Sequence, residues 1–91
     1  TIFCGFSRLA RVAAAELGKK GEQLVVIELD DRRAEEAENA GLLVLRGDST
    51  DEDLLVRPGV SRASRLVSLL PRDSDNLYVI LTGRELNPKL Y

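Results

Sequence analysis

Four short apolar runs divide the chain, and each has the length and side-chain composition of a β-strand. They cover Ile2–Cys4 and residues 24–27, 42–45 and 66–70. The second run, Leu-Val-Val-Ile, is apolar at every position, which is typical of a parallel strand covered on both faces. The segments between the runs are long enough for helices, so strands and helices are predicted to alternate.

The segment after the first run predicts an amphipathic helix. Its apolar residues recur at helical spacing: Leu9, Val12, Ala13 and Leu17. Gly18 and Gly21 are predicted to close this helix, because glycine is common just beyond a helix C-terminus.

A second helix is predicted over residues 32–39. Asp30 and Asp31 stand where its N-cap belongs, and Asp30 is interpreted as a cap rather than as a ligand. Gly41 occupies the position of the C′ residue, so the helix is expected to end just before it.

The third run ends at Arg46-Gly47-Asp48, and a short third helix is predicted after it. Residues 49–52, Ser-Thr-Asp-Glu, have the form of a capping box, in which Ser49 caps the helix and Glu52 reaches back. The helix is expected to run through residues 54–55 and to end at Pro58 and Gly59.

The fourth run leads into the last helix. Pro71 is predicted to stop the strand, and Asp73 or Ser74 to cap the helix that follows. This helix is expected to continue to Leu86, just before an Asn-Pro pair.

The order βαβαβαβα predicts a Rossmann-like α/β fold, a doubly wound parallel sheet with helices on both faces. Right-handed crossovers lead us to expect the strand order 3-2-1-4. One domain, residues 1–91, is predicted. We expect it to be part of a larger domain, truncated at both ends, because it starts inside one strand and stops where a fifth should begin.

Composition narrows the function. The net charge is −2 and basic residues are interleaved with acidic ones, which argues against a nucleic-acid partner. No apolar stretch approaches the ~20 residues of a transmembrane helix. The chain has no histidine and one cysteine, so we expect no metal site and a reducing compartment. Cys4 is interpreted as a buried core residue.

The loop after the first strand is close to the dinucleotide fingerprint G-x-G-x-x-G. Gly5 supplies the tight turn, Ser7 replaces the glycine that lets the backbone approach a pyrophosphate, and Ala10 replaces the glycine at the helix–strand contact. The helix N-terminus still attracts anions, and Arg8 adds a positive charge. Anion binding is expected there, with a pyrophosphate crowded by the Ser7 side chain.

Two acidic residues follow the next strands on the same edge of the sheet. Glu28 stands 23 positions after Gly5 (28 minus 5), where an acidic side chain binds the adenosine ribose, which favours NAD or ATP/AMP over NADP. The alternative is an exposed carboxylate at a strand end. Asp48 is a candidate partner of the adenine amino group, and its alternative is a turn followed by a helix cap.

These residues together resemble the RCK domain (regulator of K⁺ conductance), also called the TrkA-N or KTN domain. The resemblance covers nearly the whole chain. The matching stretches are CGFSRLAR from residue 4, VIELD from residue 26, GDSTD from residue 47, DSDNL from residue 73 and LTGRELNP from residue 81.

The resemblance implies a ligand-sensing, gating domain on the cytoplasmic side of the inner membrane, joined to a membrane pore of the same or a partner chain. Such domains form dimers and gating rings, and many bind NAD(H) or an adenine nucleotide (ATP, ADP or AMP). The implied cofactor-binding residues are Gly5, Phe6, Ser7, Arg8, Leu9, Glu28, Leu29, Asp48 and Ser49. Ser7 and Ala10 replace family glycines, so weakened binding is expected. Calcium-gated members carry a carboxylate where Leu69 and Leu70 stand, so a calcium switch is not expected.

The last helix is apolar around much of its circumference, more than one face on a sheet requires. The resemblance favours a subunit contact here, through Leu77, Tyr78, Ile80, Leu81 and Arg84. Gly83 weakens the helix, which a close helix-to-helix approach would offset. The alternative is that further strands of the same domain cover these residues.

Three functions are therefore compared. The first is a regulatory domain of a potassium channel or transport system that acts through subunit assembly. The second is a ligand-free assembly scaffold of the same fold. The third, a fragment of an NAD-dependent dehydrogenase, is disfavoured: the chain has no histidine and no room for a substrate domain. We therefore expect no enzyme.

Overall fold

A computed structural model describes residues 1–56 and 63–91. Strands and helices alternate as the sequence predicts. They are β1 (Ile2–Cys4), α1 (Arg8–Lys19), β2 (Val25–Glu28), α2 (Asp31–Asn39), β3 (Leu43–Arg46), α3 (Glu52–Val56), β4 (Leu66–Ser68) and α4 (Asp73–Leu86). The strands form one parallel sheet in the order β3-β2-β1-β4, which confirms the predicted order.

Alternate residues of the central strands point to opposite faces of the sheet and fill two separate cores. Phe3, which pairs with Val26 on one side and Val67 on the other, belongs to the core beneath α1 and α2. Ile2 and Cys4 belong to the core beneath α3 and α4. The sheet is thus covered on both faces, as apolar parallel strands require.

The buried face of α1 differs from the predicted stripe. Ala10 and Ala14 are buried, whereas Leu9 and Val12 are 63% and 57% exposed. Ala10 and Ala14 pack in one cluster with Phe3. Ala13 and Leu17 of the predicted stripe are packed against that cluster as expected, so the departure is confined to Leu9 and Val12.

Of the two glycines predicted to close α1, only Gly21 lies beyond the helix, where the chain turns. Gly18 lies inside the helix, so the prediction that it closes α1 is wrong. Gly21 has a φ of +78°, and its N–H donates to the carbonyl of Gly18. The end of α2 matches the prediction, because Gly41 has a φ of +84° directly after its C-cap.

Three helix starts test the predicted caps. Asp30 caps α2, accepting the N–H of Arg33 at 3.0 Å, as predicted. The capping box is wrong: Glu52 is already the first residue of α3, and Asp48 instead accepts the N–H of Thr50 at 2.9 Å.

The cap predicted for α4 is also wrong. Arg72 is the N-cap residue and makes no side-chain capping bond, and Asp73 already lies inside the helix. The predicted end of α3 at Pro58 and Gly59 lies outside the described residues.

β2 and β3 begin one residue later than predicted, and β4 stops at Ser68 rather than at residue 70. β4 ends at Ser68, the residue that pairs with Cys4 at the end of β1. Beyond it, the carboxamide of Asn76 bonds both the N–H and the C=O of Leu70. None of the helices within the described ranges has both the length and the apolar character to cross a bilayer.

Candidate nucleotide-binding site

A cavity of about 690 Å³ opens at the carboxyl edge of the sheet, where the loops after all four strands meet. Parallel α/β sheets bind their ligands at this edge. Of the predicted site residues, five line the cavity: Gly5, Glu28, Leu29, Asp48 and Ser49. The other four belong to the β1–α1 loop and the start of α1 and do not line it: Phe6, Ser7, Arg8 and Leu9.

Glu28 holds two loops together. Its side chain is at the end of β2 and only 6% of the residue is exposed. One carboxylate oxygen accepts the N–H of Phe6 at 2.7 Å and the other accepts the N–H of Asp30 at 2.9 Å. The alternative of an exposed carboxylate is therefore wrong. A carboxylate has about four acceptor sites, so Glu28 retains capacity to accept ligand hydroxyls.

Gly5 cannot carry a side chain in this turn. Its φ is +92°, a conformation that side-chain-bearing residues rarely adopt, and a Cβ there would lie 2.8 Å from the carbonyl oxygen of Leu69. The Gly5 N–H donates to the carbonyl of Ile27 at 2.9 Å. The loop is therefore pressed between the ends of β2 and β4.

Ser7 has a structural task that the sequence analysis missed. Its side-chain oxygen accepts the N–H of Ala10 at 3.3 Å, and Ser7 is the N-cap of α1. A serine three residues before an N–H at a helix start is the usual signal of such a cap. The hydroxyl thus bonds the helix terminus that an approaching phosphate would use.

Of the residues beside Ser7 in the chain, one is buried in the core and two are exposed to solvent. The Phe6 side chain is buried in the core beneath α1, and the guanidinium of Arg11 lies 5.8 Å from the centre of its ring. Arg8 and Leu9 are exposed. Of the predicted loop residues, Phe6 therefore contributes mainly its backbone, through the bond to Glu28.

Asp48 and Ser49 form the wall after β3. The Thr50 N–H and hydroxyl both donate to Asp48, at 2.9 and 2.8 Å, and these bonds hold the pKa of the Asp48 carboxyl below its ordinary value. Asp48 therefore forms the turn proposed as its alternative role while still lining the cavity.

Ser49 lies beneath that wall, next to Cys4. It is almost fully buried, and its hydroxyl oxygen has no hydrogen-bond partner within the described residues. Burial raises the pKa of the Cys4 thiol to about 11, with the nearby Ser49 hydroxyl acting weakly in the opposite sense. A thiol with that pKa is protonated and unreactive at neutral pH, in agreement with the core role predicted for Cys4.

Acidic groups predominate around the cavity. Five carboxylates and two guanidinium groups line it among the described residues: Glu28, Asp30, Asp31, Asp48 and Asp75 against Arg33 and Arg72. Asp31 is already paired with Arg46 at 3.3 Å. Such a lining favours ligand groups that donate hydrogen bonds, such as ribose hydroxyls and amino groups, over a chain of phosphates.

The sequence analysis missed the wall after β4, formed by Leu70, Pro71, Arg72 and Asp75. The signal that would have found it is the rule already applied to Glu28 and Asp48. Residues that follow a parallel strand lie at the same carboxyl edge, whichever strand they follow.

The residues predicted for a subunit contact lie on the surface of α4. Leu77 and Leu81 are 59% and 60% exposed, and Tyr78, Ile80 and Arg84 are also exposed.

The role suggested for Gly83, to allow close approach of a second helix, is wrong. A Cβ there would lie 3.0 Å from Leu90 of the same chain, so the close approach is internal.

Comparisons of sequence identify relatives of the chain among known proteins. It is 34% identical to potassium channel protein 1 of Methanocaldococcus jannaschii, over 99% of this chain and 28% of that protein. It is 31% identical to a Trk system potassium uptake protein TrkA homolog of Pyrococcus abyssi, over 98% of this chain and 40% of that protein. The chain thus spans less than half the length of either relative.

Two solved structures share the fold. The TrkA-N domain of the inner membrane protein ybaL from Escherichia coli matches 98% of this chain and 66% of that one, with a TM-score of 0.89 and 21% identity. The Kef CTD of Shewanella denitrificans in an AMP-bound form matches 98% of this chain and 52% of that one, with a TM-score of 0.81 and 22% identity.

The model of the TrkA-N domain family matches residues 1–91, the whole of the chain. The resemblance read from the sequence is therefore confirmed, and the chain belongs to the TrkA-N domain family.

Proposed function

We propose that this chain is a regulatory domain of a potassium channel or potassium transport system, working on the cytoplasmic side of the membrane. It binds NAD(H) or an adenine nucleotide, and binding changes how copies of the domain assemble beside a membrane pore. Relatives named as a potassium channel protein and a potassium uptake protein support this assignment. We also propose that residues 1–91 form one lobe of a larger domain.

The observation that carries the proposal is the cavity at the carboxyl edge, with Glu28 in its wall beside Gly5. Glu28 is buried and its side chain accepts from two backbone N–H groups, so its oxygens are fixed in position. A fixed acceptor at the end of the second strand suits the vicinal hydroxyls of an adenosine ribose. Asp48 is proposed to accept from the adenine amino group on the next wall.

The phosphate end of the ligand is proposed to approach the start of α1. That terminus offers backbone N–H groups and a positive dipole end, and Arg8 is exposed there. Ser7 already occupies the Ala10 N–H and brings a side chain to the loop. The acidic lining also repels extra phosphates. We therefore expect AMP to bind more tightly than ATP.

The exposed apolar face of α4 is proposed as the contact between two copies of the domain. It comprises Leu77, Tyr78, Ile80 and Leu81, with Arg84 at its edge. Large apolar side chains gathered on one exposed helix are typical of an interface. The alternative remains that further strands of the same domain cover part of this face.

Titration calorimetry with NADH, ATP and AMP tests the nucleotide proposal. We expect heat of binding with AMP or NADH, and a loss of at least about tenfold in affinity for Glu28→Gln, equal to about 1.4 kcal/mol. The control is Glu35→Gln, which neutralises an exposed carboxylate that does not line the cavity. Equal affinities in both variants would remove Glu28 from the site.

A second variant tests the crowding at the loop. Ser7→Gly removes the hydroxyl and its carbon but leaves a residue that tolerates an N-cap position. We expect NADH to gain affinity more than AMP, because only the dinucleotide brings a pyrophosphate to the loop. If Ser7→Gly leaves NADH affinity unchanged, the crowding argument is wrong.

A ligand-free assembly scaffold is the second candidate function. The observation in its favour is that two donors of the loop are already used within the chain, the Phe6 N–H by Glu28 and the Ala10 N–H by Ser7. If calorimetry detects no heat of binding with any of the three nucleotides, and the protein self-associates with increasing concentration, the assembly scaffold is favoured over the ligand-binding regulatory domain.

A further inference from the structure

The side chain of Asn76 joins the cavity wall to helix α4. Its Oδ1 accepts the Leu70 N–H at 2.8 Å and the Ser68 hydroxyl at 2.6 Å, while its Nδ2 donates to the Leu70 carbonyl at 3.0 Å. The carboxamide thus pairs with Leu70 through both polar groups of that residue's backbone, as a neighbouring strand would. Three of the four hydrogen bonds that an asparagine side chain readily forms are used.

The residue held in this way belongs to the cavity. Leu70 lines it together with Pro71 and Arg72. On the opposite side the wall is pressed against the loop of β1, because the Gly5 Cα lies so close that a Cβ would be 2.8 Å from the Leu69 carbonyl and 3.2 Å from the Leu70 side chain. The wall after β4 cannot move toward the β1 loop. A ligand that displaces this wall therefore moves it toward the element on its far side.

What holds its other side is the first turn of α4. The N-cap residue, Arg72, makes no side-chain capping bond. The carboxamide of Asn76 bonds Leu70 and thereby connects this first turn to the segment that follows β4. The exposed apolar face begins directly after Asn76 in the helix and comprises Leu77, Tyr78, Ile80 and Leu81. The same helix thus holds the wall at one end and presents the proposed contact surface beside it.

From this connection we infer that Asn76 is a positioning residue through which occupancy of the cavity changes the orientation of α4 and hence the self-association of the domain. The inference rests on the proposed function, since it takes the cavity as the ligand site and α4 as the contact surface. A nucleotide that displaces Leu70 moves the Asn76 carboxamide with it, because two bonds join them. Ligand affinity and self-association are then linked, each altering the other by the same factor.

The experiment measures that factor. Sedimentation of the purified protein gives the self-association constant with and without saturating AMP, and calorimetry gives the affinity for AMP. For the wild type we expect AMP to change self-association by about fivefold or more. In Asn76→Asp, a carboxylate oxygen faces the Leu70 carbonyl in place of the Nδ2 donor. We expect the change to fall below about twofold, with the affinity of the isolated domain for AMP within about threefold of wild type.

Ser68→Ala is the matched control. It removes one bond to the same carboxamide but leaves both bonds to Leu70, so the response to AMP is expected to persist. If Asn76→Asp does not fold, as judged by circular dichroism, Asn76→Ala carries the same expectation, because it removes the tie without adding a charge.

The outcomes separate the two ideas. A wild-type protein that binds AMP but whose self-association does not respond overturns the inference and leaves the nucleotide site standing. An undiminished response in a folded Asn76 variant also overturns it. A wild-type protein that binds neither AMP nor NADH overturns the proposed function and this inference with it.

Discussion

Two walls of the cavity, the one after β2 and the one after β4, meet one requirement with different chemistry. Backbone N–H and C=O groups released at the end of a strand need partners. On the β2 wall a carboxylate on the strand itself, Glu28, accepts from Phe6 and Asp30 in the two loops beside it. On the β4 wall a neutral carboxamide on a helix, Asn76, both donates to and accepts from Leu70.

The difference follows from what each group can do. A carboxylate only accepts, so it gathers donors, and charge-assisted bonds are roughly twice as strong as neutral ones. A carboxamide can pair with both the N–H and the C=O of one residue and brings no charge. The β2 wall is therefore suited to holding donors of a ligand, and the β4 wall to fastening a helix.

The largest expected effect is at Gly5, in the loop of β1 that lies between the ends of β2 and β4. Gly5→Ala combines a φ that side-chain-bearing residues rarely adopt with overlap on the Leu69 backbone, and we expect a loss of about 4 kcal/mol in the free energy of unfolding. Gly21→Ala is the control, with a similar φ of +78°, and should cost about 1 kcal/mol. Apart from its two chain neighbours, none of the described residues has an atom within 4 Å of a Cβ placed there. Urea unfolding measures both. Equal losses would show that the walls do not press on Gly5.

The next effect tests the charged wall. Glu28→Ala leaves the N–H groups of Phe6 and Asp30 without their acceptor, and we expect a loss of about 3 kcal/mol. Glu28→Gln, which retains one accepting oxygen, should lose about half as much. Chemical denaturation measures the two variants side by side. If the alanine variant loses less than 1 kcal/mol, the carboxylate does not hold the loops.

For the wall after β4, which Asn76 holds, we expect a smaller loss in the free energy of unfolding. Asn76→Ala removes three neutral hydrogen bonds at partly buried atoms, and we expect a loss of about 2 kcal/mol. Ser68→Ala, which removes one of them, should cost about 1 kcal/mol. The same unfolding series measures both. A larger loss at Asn76 than at Glu28 would reverse the comparison.

The smallest effect concerns the third wall and its dependence on pH. The pKa of Asp48 is lowered by the N–H and hydroxyl of Thr50, so the unfolded chain binds this proton more readily than the folded one. The stabilisation is present above the ordinary carboxyl pKa of about 4 and is lost as pH falls through the lowered folded value. Asp48→Asn should therefore differ most from wild type near pH 6 and approach it near pH 2. A constant difference across thermal unfolding at these pH values would contradict this.

Local signals in the sequence predicted the elements and their order correctly. Apolar runs such as the one ending at Ile27 are buried from both sides, and one-residue shifts of β2 and β3 do not alter the sheet. Asp30 and Gly41 predicted the start and end of α2, because capping depends on a few neighbouring residues. Gly5 and Glu28 predicted one edge of the sheet for the same kind of reason: both follow a strand.

Predictions failed where another residue takes over the role that the local pattern assigns. Ser49 has the form of a cap, yet Asp48 makes the turn and Ser49 is buried next to Cys4. Gly83 was expected to meet a second helix, yet Leu90 fills its space. For Ser49 the competing residue is its neighbour in the chain, whereas for Gly83 it is a residue beyond the end of the helix that only the fold brings close.

The sequence by itself determined the alternation of strands and helices, the parallel sheet, the family and the strand ends at which the cavity lies. These depend on apolar periodicity and on residues a few positions apart. Only the tertiary structure decided that Glu28 is buried and bonded to two loops and that Asn76 fastens α4 to the wall after β4. The physical reason is that a hydrogen bond needs a partner at about 3 Å in a suitable direction, and only the folded backbone fixes which partner that is.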